Sequence, residues 1–145
     1  MNTVTVSSMS GSSNSNPAQA KVFTPLVQQF LDYLKFEKHF SDYTVKSYGA
    51  DLIQFAQYLC GAIGPHGATT DSKPTPAAVD EKHVKCEALT IREFLAYLYG
   101  QNYTKSTTAR KLATLRSFYK FLMKRSVVTA SPLTTIRTPK QEKRL

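Results

Sequence analysis

The sequence is poor in cysteine, has no long apolar run, and is nearly without acid toward its carboxyl end. No stretch approaches the roughly 18 apolar residues that a membrane span needs. From Met1 to Gln19 there is neither a basic start nor an apolar run, so the amino end does not read as a secretory signal. Two cysteines, Cys60 and Cys86, cannot form a disulfide framework, and without an export signal both are expected reduced and the protein cytoplasmic. No Gly-rich phosphate loop and no compact carboxylate cluster stands out, which leaves nucleotide hydrolysis unsupported. No internal repeat and no convincing strand pair is found. An all-α fold is the expectation.

Charge is distributed unevenly. Residues 1–100 hold eight Lys and Arg against nine Asp and Glu, whereas residues 101–145 hold eleven against Glu142 alone. An anionic partner is implied, with the last third supplying much of the contact. An anionic membrane surface fits less well, because the basic face described below lacks a bulky apolar surface open to lipid.

Residues 1–22 are rich in Ser, Asn and Thr and offer little to bury, which predicts a disordered tail. A first helix is expected from Thr24–Pro25, with Thr24 as cap, to about Lys38–His39, carrying Leu26, Phe30, Tyr33 and Leu34 at helical spacing. Ser41 caps a second helix whose apolar face is Val45, Tyr48, Leu52, Phe55, Ala56 and Leu59. Lys46, Ala50, Gln54 and Gln57 lie opposite, with Gly49 at the edge of that polar face. Glycines and prolines punctuate residues 61–88, which read as a long loop, either a functional arm or an insertion, with insertion favoured. Thr90 and Glu93 match a capping box for a third helix that Gly100 should stop. A fourth runs from about Ser106 to Lys124, and Pro132 marks a turn or extended segment.

On the fourth helix Leu112, Leu115, Tyr119 and Leu122 cluster within about 80° of arc, flanked by Phe118 and Met123. Opposite lie Arg110, Ala113, Ser117, Lys120 and Lys124, with Thr114 nearby and Lys111 and Arg116 on the shoulders. Long cations reach phosphates, small Ala113 and Ser117 permit close approach, and Arg110 can read base edges. Ser106, Thr107 and Thr108 set hydroxyls beside first-turn amides, a natural phosphate seat. The stripe alone also suits an ordinary solvated surface or a helical interaction module docked on an acidic protein. The near absence of acid over 45 residues favours nucleic acid, since solvating helices usually alternate signs.

Three segments together carry a family resemblance: FLDYLKFEKHFSDYTVKSYGADLIQFAQYL from Phe30, TTARKLATLRSFYKFL from Thr107, and SPLTTIRTPKQEKRL at 131–145. In this order they strongly resemble the amino-terminal, core-binding domain of tyrosine recombinases, the Xer-type and phage-integrase family. The resemblance implies a SAM-like four-helix bundle over residues 23–138 that clasps one side of duplex DNA. A basic linker from residue 139 would lead to a catalytic domain clasping the other side. It further implies major-groove contact by Thr44, Lys46 and Ser47 of the second helix and by Ser106, Thr107, Arg110, Lys111, Ala113, Thr114 and Ser117 of the fourth. Arg116 matches the family's usual basic position, for phosphate contact or for bracing the helices. Lys140, Lys143 and Arg144 resemble the linker. The family commonly has basic residues after the tyrosine of the second helix; here Gly49 and Ala50 stand there, leaving Lys46 as that helix's cation.

The resemblance also bounds the chemistry. The family cleaves with a tyrosine nucleophile, an arginine clamp on the phosphate, and assisting lysine and histidine. None of His39, His66 or His83 is followed three residues later by Arg, so the family's His-x-x-Arg element is absent. Tyr48 and Tyr119 read as core residues with a polar rim. The chain is therefore expected to be a non-cleaving piece of a recombinase, monomeric alone, whose parent oligomerises on DNA. Cys60, His66, His83 and Cys86 have types that suit zinc, but their spacing fits no compact zinc module, and no metal or cofactor is expected.

Overall fold

Thr24 lies extended and accepts the Val27 amide through its hydroxyl, while Pro25 occupies the first turn, where a missing N–H costs nothing. This starts α1 (Pro25–Asp32), which runs into one widened π turn (Tyr33–Glu37). Ser41 caps α2 (Asp42–Leu59) by accepting the Thr44 amide. Then follow α3 (Pro76–Lys85), α4 (Ala88–Gly100) and α5 (Lys105–Lys124). The computed structural model describes residues 23–64 and 74–137. The expected tail over 1–22 and the expected linker over 139–145 lie outside the described residues.

The architecture is all-α, with no strand among the described residues. Central α5 packs on α1, α2 and α4. Its stripe, Leu112, Leu115, Phe118, Tyr119 and Leu122, is fully buried against Phe30, Leu52, Phe55, Ile91, Phe94 and Leu98. Edge-on aromatic pairs lock the centre: Phe30 and Phe118 stand 5.5 Å apart, Phe55 and Phe94 5.1 Å. Met123, expected at the flank of the core, is instead exposed. Phe121 takes the buried position, against Tyr33 and Phe30.

Three other expectations are corrected. Residues 61–88 are not one loop, because Thr75 accepts the Ala78 amide, Pro76 fills the first turn, and α3 follows. Val79 and His83, one turn apart, bury the inner face of α3 against α1 and α2. The capping box of Thr90 and Glu93 does not form: α4 begins three residues earlier, and Glu87 sits at its cap with no side-chain bond. Gly49 is buried rather than on the polar face; a Cβ there would stand 3.0 Å from the Phe23 ring, so glycine lets Phe23 lie on α2.

Asp80 and His83 tie α3 into the bundle. Asp80 Oδ2 accepts the free Leu26 amide in the first turn of α1 at 3.0 Å, and Asp80 Oδ1 meets His83 Nδ1 at 3.0 Å. The His83 ring is sealed between Phe55 and Phe118, and its Nε2 has no hydrogen-bond partner among the described residues. Burial lowers the His83 pKa below its ordinary value, and Asp80 only partly offsets this. The unfolded chain therefore binds a proton more readily than the native one. This contribution to stability is complete above about pH 6.5 and is lost as pH falls from there toward the lower folded value, by at most about 1.4 kcal/mol per unit. Urea midpoints should be lower at pH 5 than at pH 7.5; equal midpoints would contradict the neutral buried ring.

Candidate nucleic-acid interface

With its apolar side buried, α5 turns Arg110, Ala113, Lys120 and Lys124 outward, with half-buried Ser117 among them. These residues recur at three- and four-residue steps and form one row. Lys120 makes no hydrogen bond or ion pair among the described residues. Among the described residues Lys124 hydrogen-bonds only the Tyr33 hydroxyl, at 3.4 Å.

At the amino end of the row two predicted residues on different helices meet. Arg110 Nη1 donates to Ser47 Oγ of α2 at 2.6 Å and to Asp51 Oδ2 at 3.0 Å. Lys111 Nζ donates to Asp51 Oδ1 at 3.0 Å, and the Thr114 hydroxyl to Asp51 Oδ2 at 2.8 Å. Asp51, its side chain 2% exposed, thus holds three groups of α5. Its signal in the sequence was an acid at an inward position, three residues after Tyr48 and four before Phe55, facing an acid-free helix.

This hub revises the expected contact set. Thr114 is buried and committed to Asp51, so it belongs to the helix–helix contact and not to the outer face. Lys111, 11% exposed at its side chain, is likewise taken by Asp51 and lies 5.2 Å from the Tyr103 ring centre. Arg110 remains about half exposed and is held pointing along the surface. Arg116 Nη2 donates to Ile136 O at 2.6 Å, bracing the 131–136 turn, whose Leu133 and Ile136 are buried.

The first turn of α5 is also partly occupied. Thr104 caps it, accepting the Thr107 amide and donating to the Thr107 hydroxyl, both at 3.1 Å, while Thr108 faces the core. Only Ser106 of the expected three-hydroxyl seat stays exposed and uncommitted among the described residues. On α2, Lys46 is exposed and Thr44 is half-buried, its hydroxyl 2.9 Å from that of Ser41. Lys140, Lys143 and Arg144 lie outside the described residues.

Residues 27–72 and 77–126 match the family of phage integrase N-terminal, SAM-like domains. The chain belongs to that family. Proteins named tyrosine recombinase XerC are similar to it. That of Halalkalibacterium halodurans is 39% identical over 119 residues, 82% of this chain and 34% of that protein. Those of Natranaerobius thermophilus and Pelotomaculum thermopropionicum are 38% and 33% identical over 116 and 119 residues, 80% and 82% of this chain and 34% and 35% of theirs. The chain spans about a third of the length of these relatives. No solved structure matches it significantly. The all-α bundle agrees with this family of N-terminal domains, and α3 is the helix the sequence resemblance did not anticipate.

The described residues offer no strand-cleaving apparatus. The Tyr119 hydroxyl is sealed in the core, donating to His83 O at 2.7 Å, and burial raises its pKa far above the ordinary range. His83 serves the α1–α3 contact. No group of three or more metal-ligating side chains comes together among the described residues, and His66 lies outside them. Burial pushes the Cys86 thiol up to about 11, so it is no ready thiolate. No helix of the described residues is long and apolar enough to cross a membrane.

Proposed function

We propose that this domain grips duplex DNA without cutting it, as the N-terminal half of a site-specific recombinase clamp. The observation that carries the reading is the outward row Arg110–Ser117–Lys120–Lys124 on the helix whose opposite side, Leu112, Leu115 and Leu122, is wholly buried. The Ser47–Arg110 bond joins α2 to the same face, and Ser106 and Lys46 extend it. Phosphates are met by Lys120, by Lys124 and by Arg110, which Ser47 and Asp51 steady at the amino end of the row. Alone, the domain is a monomer; the parent assembles on DNA. The unpaired Cys60 and Cys86 fit a cytoplasmic site of action.

The test is titration of labelled duplex at two salt concentrations. With about three phosphates neutralised, raising salt from 50 to 200 mM should weaken binding ~40-fold. Absence of binding, or an affinity indifferent to salt, would defeat this reading.

A further inference from the structure

The carboxyl-terminal end of α5 faces a part of the molecule that the sequence did not connect with binding. There an open groove of about 690 Å³ lies between α5 and the π turn, lined among others by Tyr33, Lys38, Ser117, Lys120, Phe121 and Lys124. Among the described residues three ammonium groups and two hydroxyls border it, and no carboxylate does. A hollow of similar size beside α4, about 720 Å³, has the reverse character: among the described residues Glu93 lines it and no cation does.

The π turn builds this groove. In an α-helix the Tyr33 carbonyl would accept the amide of Glu37; here it accepts that of Lys38, at 3.1 Å. One inserted residue thus brings a cation round to Tyr33, with Lys38 Nζ 5.8 Å from the ring centre. Glu37 is turned away to Arg125, at 3.2 Å. Lys124 Nζ stands 5.1 Å above the same ring and bonds its hydroxyl. Partial burial raises the pKa of that hydroxyl, but hydrogen bonding and charge from Lys124 and Lys38 outweigh it and lower the value. The hydroxyl accepts from Lys124 and has its own proton to give.

We propose that this groove seats a backbone phosphate of the bound duplex, held by Lys38, Lys120 and Lys124 with the Tyr33 hydroxyl donating a hydrogen bond. The inference rests on the DNA-binding reading and adds α1 to it. Geometry supports the duplex as occupant. Fourteen residues separate Arg110 from Lys124, ~21 Å along the helix, whereas the major groove is ~12 Å wide. A helix laid across that groove therefore meets a phosphate wall at each end, with Arg110 at one and this groove at the other.

Lys38→Gln decides the matter, since Lys38 is exposed and its replacement leaves the core untouched. Measured beside the wild type on one duplex, it should weaken binding ~8-fold at 0.1 M salt and lower the salt slope by ~0.9, equally for unrelated sequences. Tyr33→Phe should weaken binding with the slope unchanged, because it removes a hydrogen bond and no charge. Lys82→Gln, which removes an exposed cation of α3, should match the wild type. Wild-type binding with Lys38→Gln unaffected would overturn the groove alone; no wild-type binding would overturn the DNA reading itself. Equal losses in Lys38→Gln and Lys82→Gln would reduce the effect to net charge and also overturn the site. Loss of polyglutamate binding with duplex binding intact would assign the groove to an acidic protein instead.

Discussion

Replacing Asp51 by alanine is expected to destabilise the domain by about 3 kcal/mol, at the low end for breaking a buried ion pair. The cause is what stays behind. Lys111 has an 11% exposed side chain and would be left without its carboxylate, and the Thr114 hydroxyl would keep only the longer bond to Arg110 O, at 3.2 Å. Arg110 is about half exposed, so water can take it back, and it adds little to the loss. For a domain of this size the change corresponds to roughly 12 °C in Tm. Adding Lys111→Met to Asp51→Ala should recover part of the loss, because the stranded ammonium goes too. Asp42→Ala, which removes only the exposed pair with Lys35, should stay within about 0.5 kcal/mol of the wild type. Thermal melts of the four proteins check this. A double variant no more stable than Asp51→Ala would contradict the stranded-charge explanation.

The second large effect concerns binding. Arg110→Ala combined with Lys120→Ala removes two contacts from the outward row, and at 0.1 M salt that should cost ~60-fold in duplex affinity and lower the salt slope by ~1.8. Stability should change little, since both side chains are substantially exposed. Removing Arg110 also leaves Asp51 less screened from an approaching phosphate, so the loss should not fall short of two simple contacts. Binding by the double variant indistinguishable from wild type, with an unchanged melting curve, would reject the proposed face.

Much of the scaffold was legible because local and global signals agree. Thr24–Pro25 and Ser41 are caps by chemistry alone, and both cap in the structure. The buried stripe of α5 follows from periodicity. Thr75–Pro76 carries the same start signal as Thr24–Pro25, yet glycines and prolines on its amino side hid it, and α3 has a weak stripe whose burial depends on Val79 and His83 reaching other helices. The Thr90–Glu93 spacing misled because packing of Ile91 and Phe94 fixes α4 whichever residue sits at its cap. Most of the outward row came from the helical wheel. The wheel could not show that α2 covers one flank of α5, which is why Thr114, drawn near the outer face, is buried. Nor could it supply Tyr33 and Lys38, which join the row only through a turn of unusual width.

Amide shifts of isotopically labelled protein on adding duplex locate the bound face residue by residue. They should concentrate in residues 44–57 and 106–124, strongest from Arg110 to Lys124, and shrink as salt is raised. Shifts confined to α3 and α4, or none while an acidic polypeptide perturbs the same row, would contradict the proposed face.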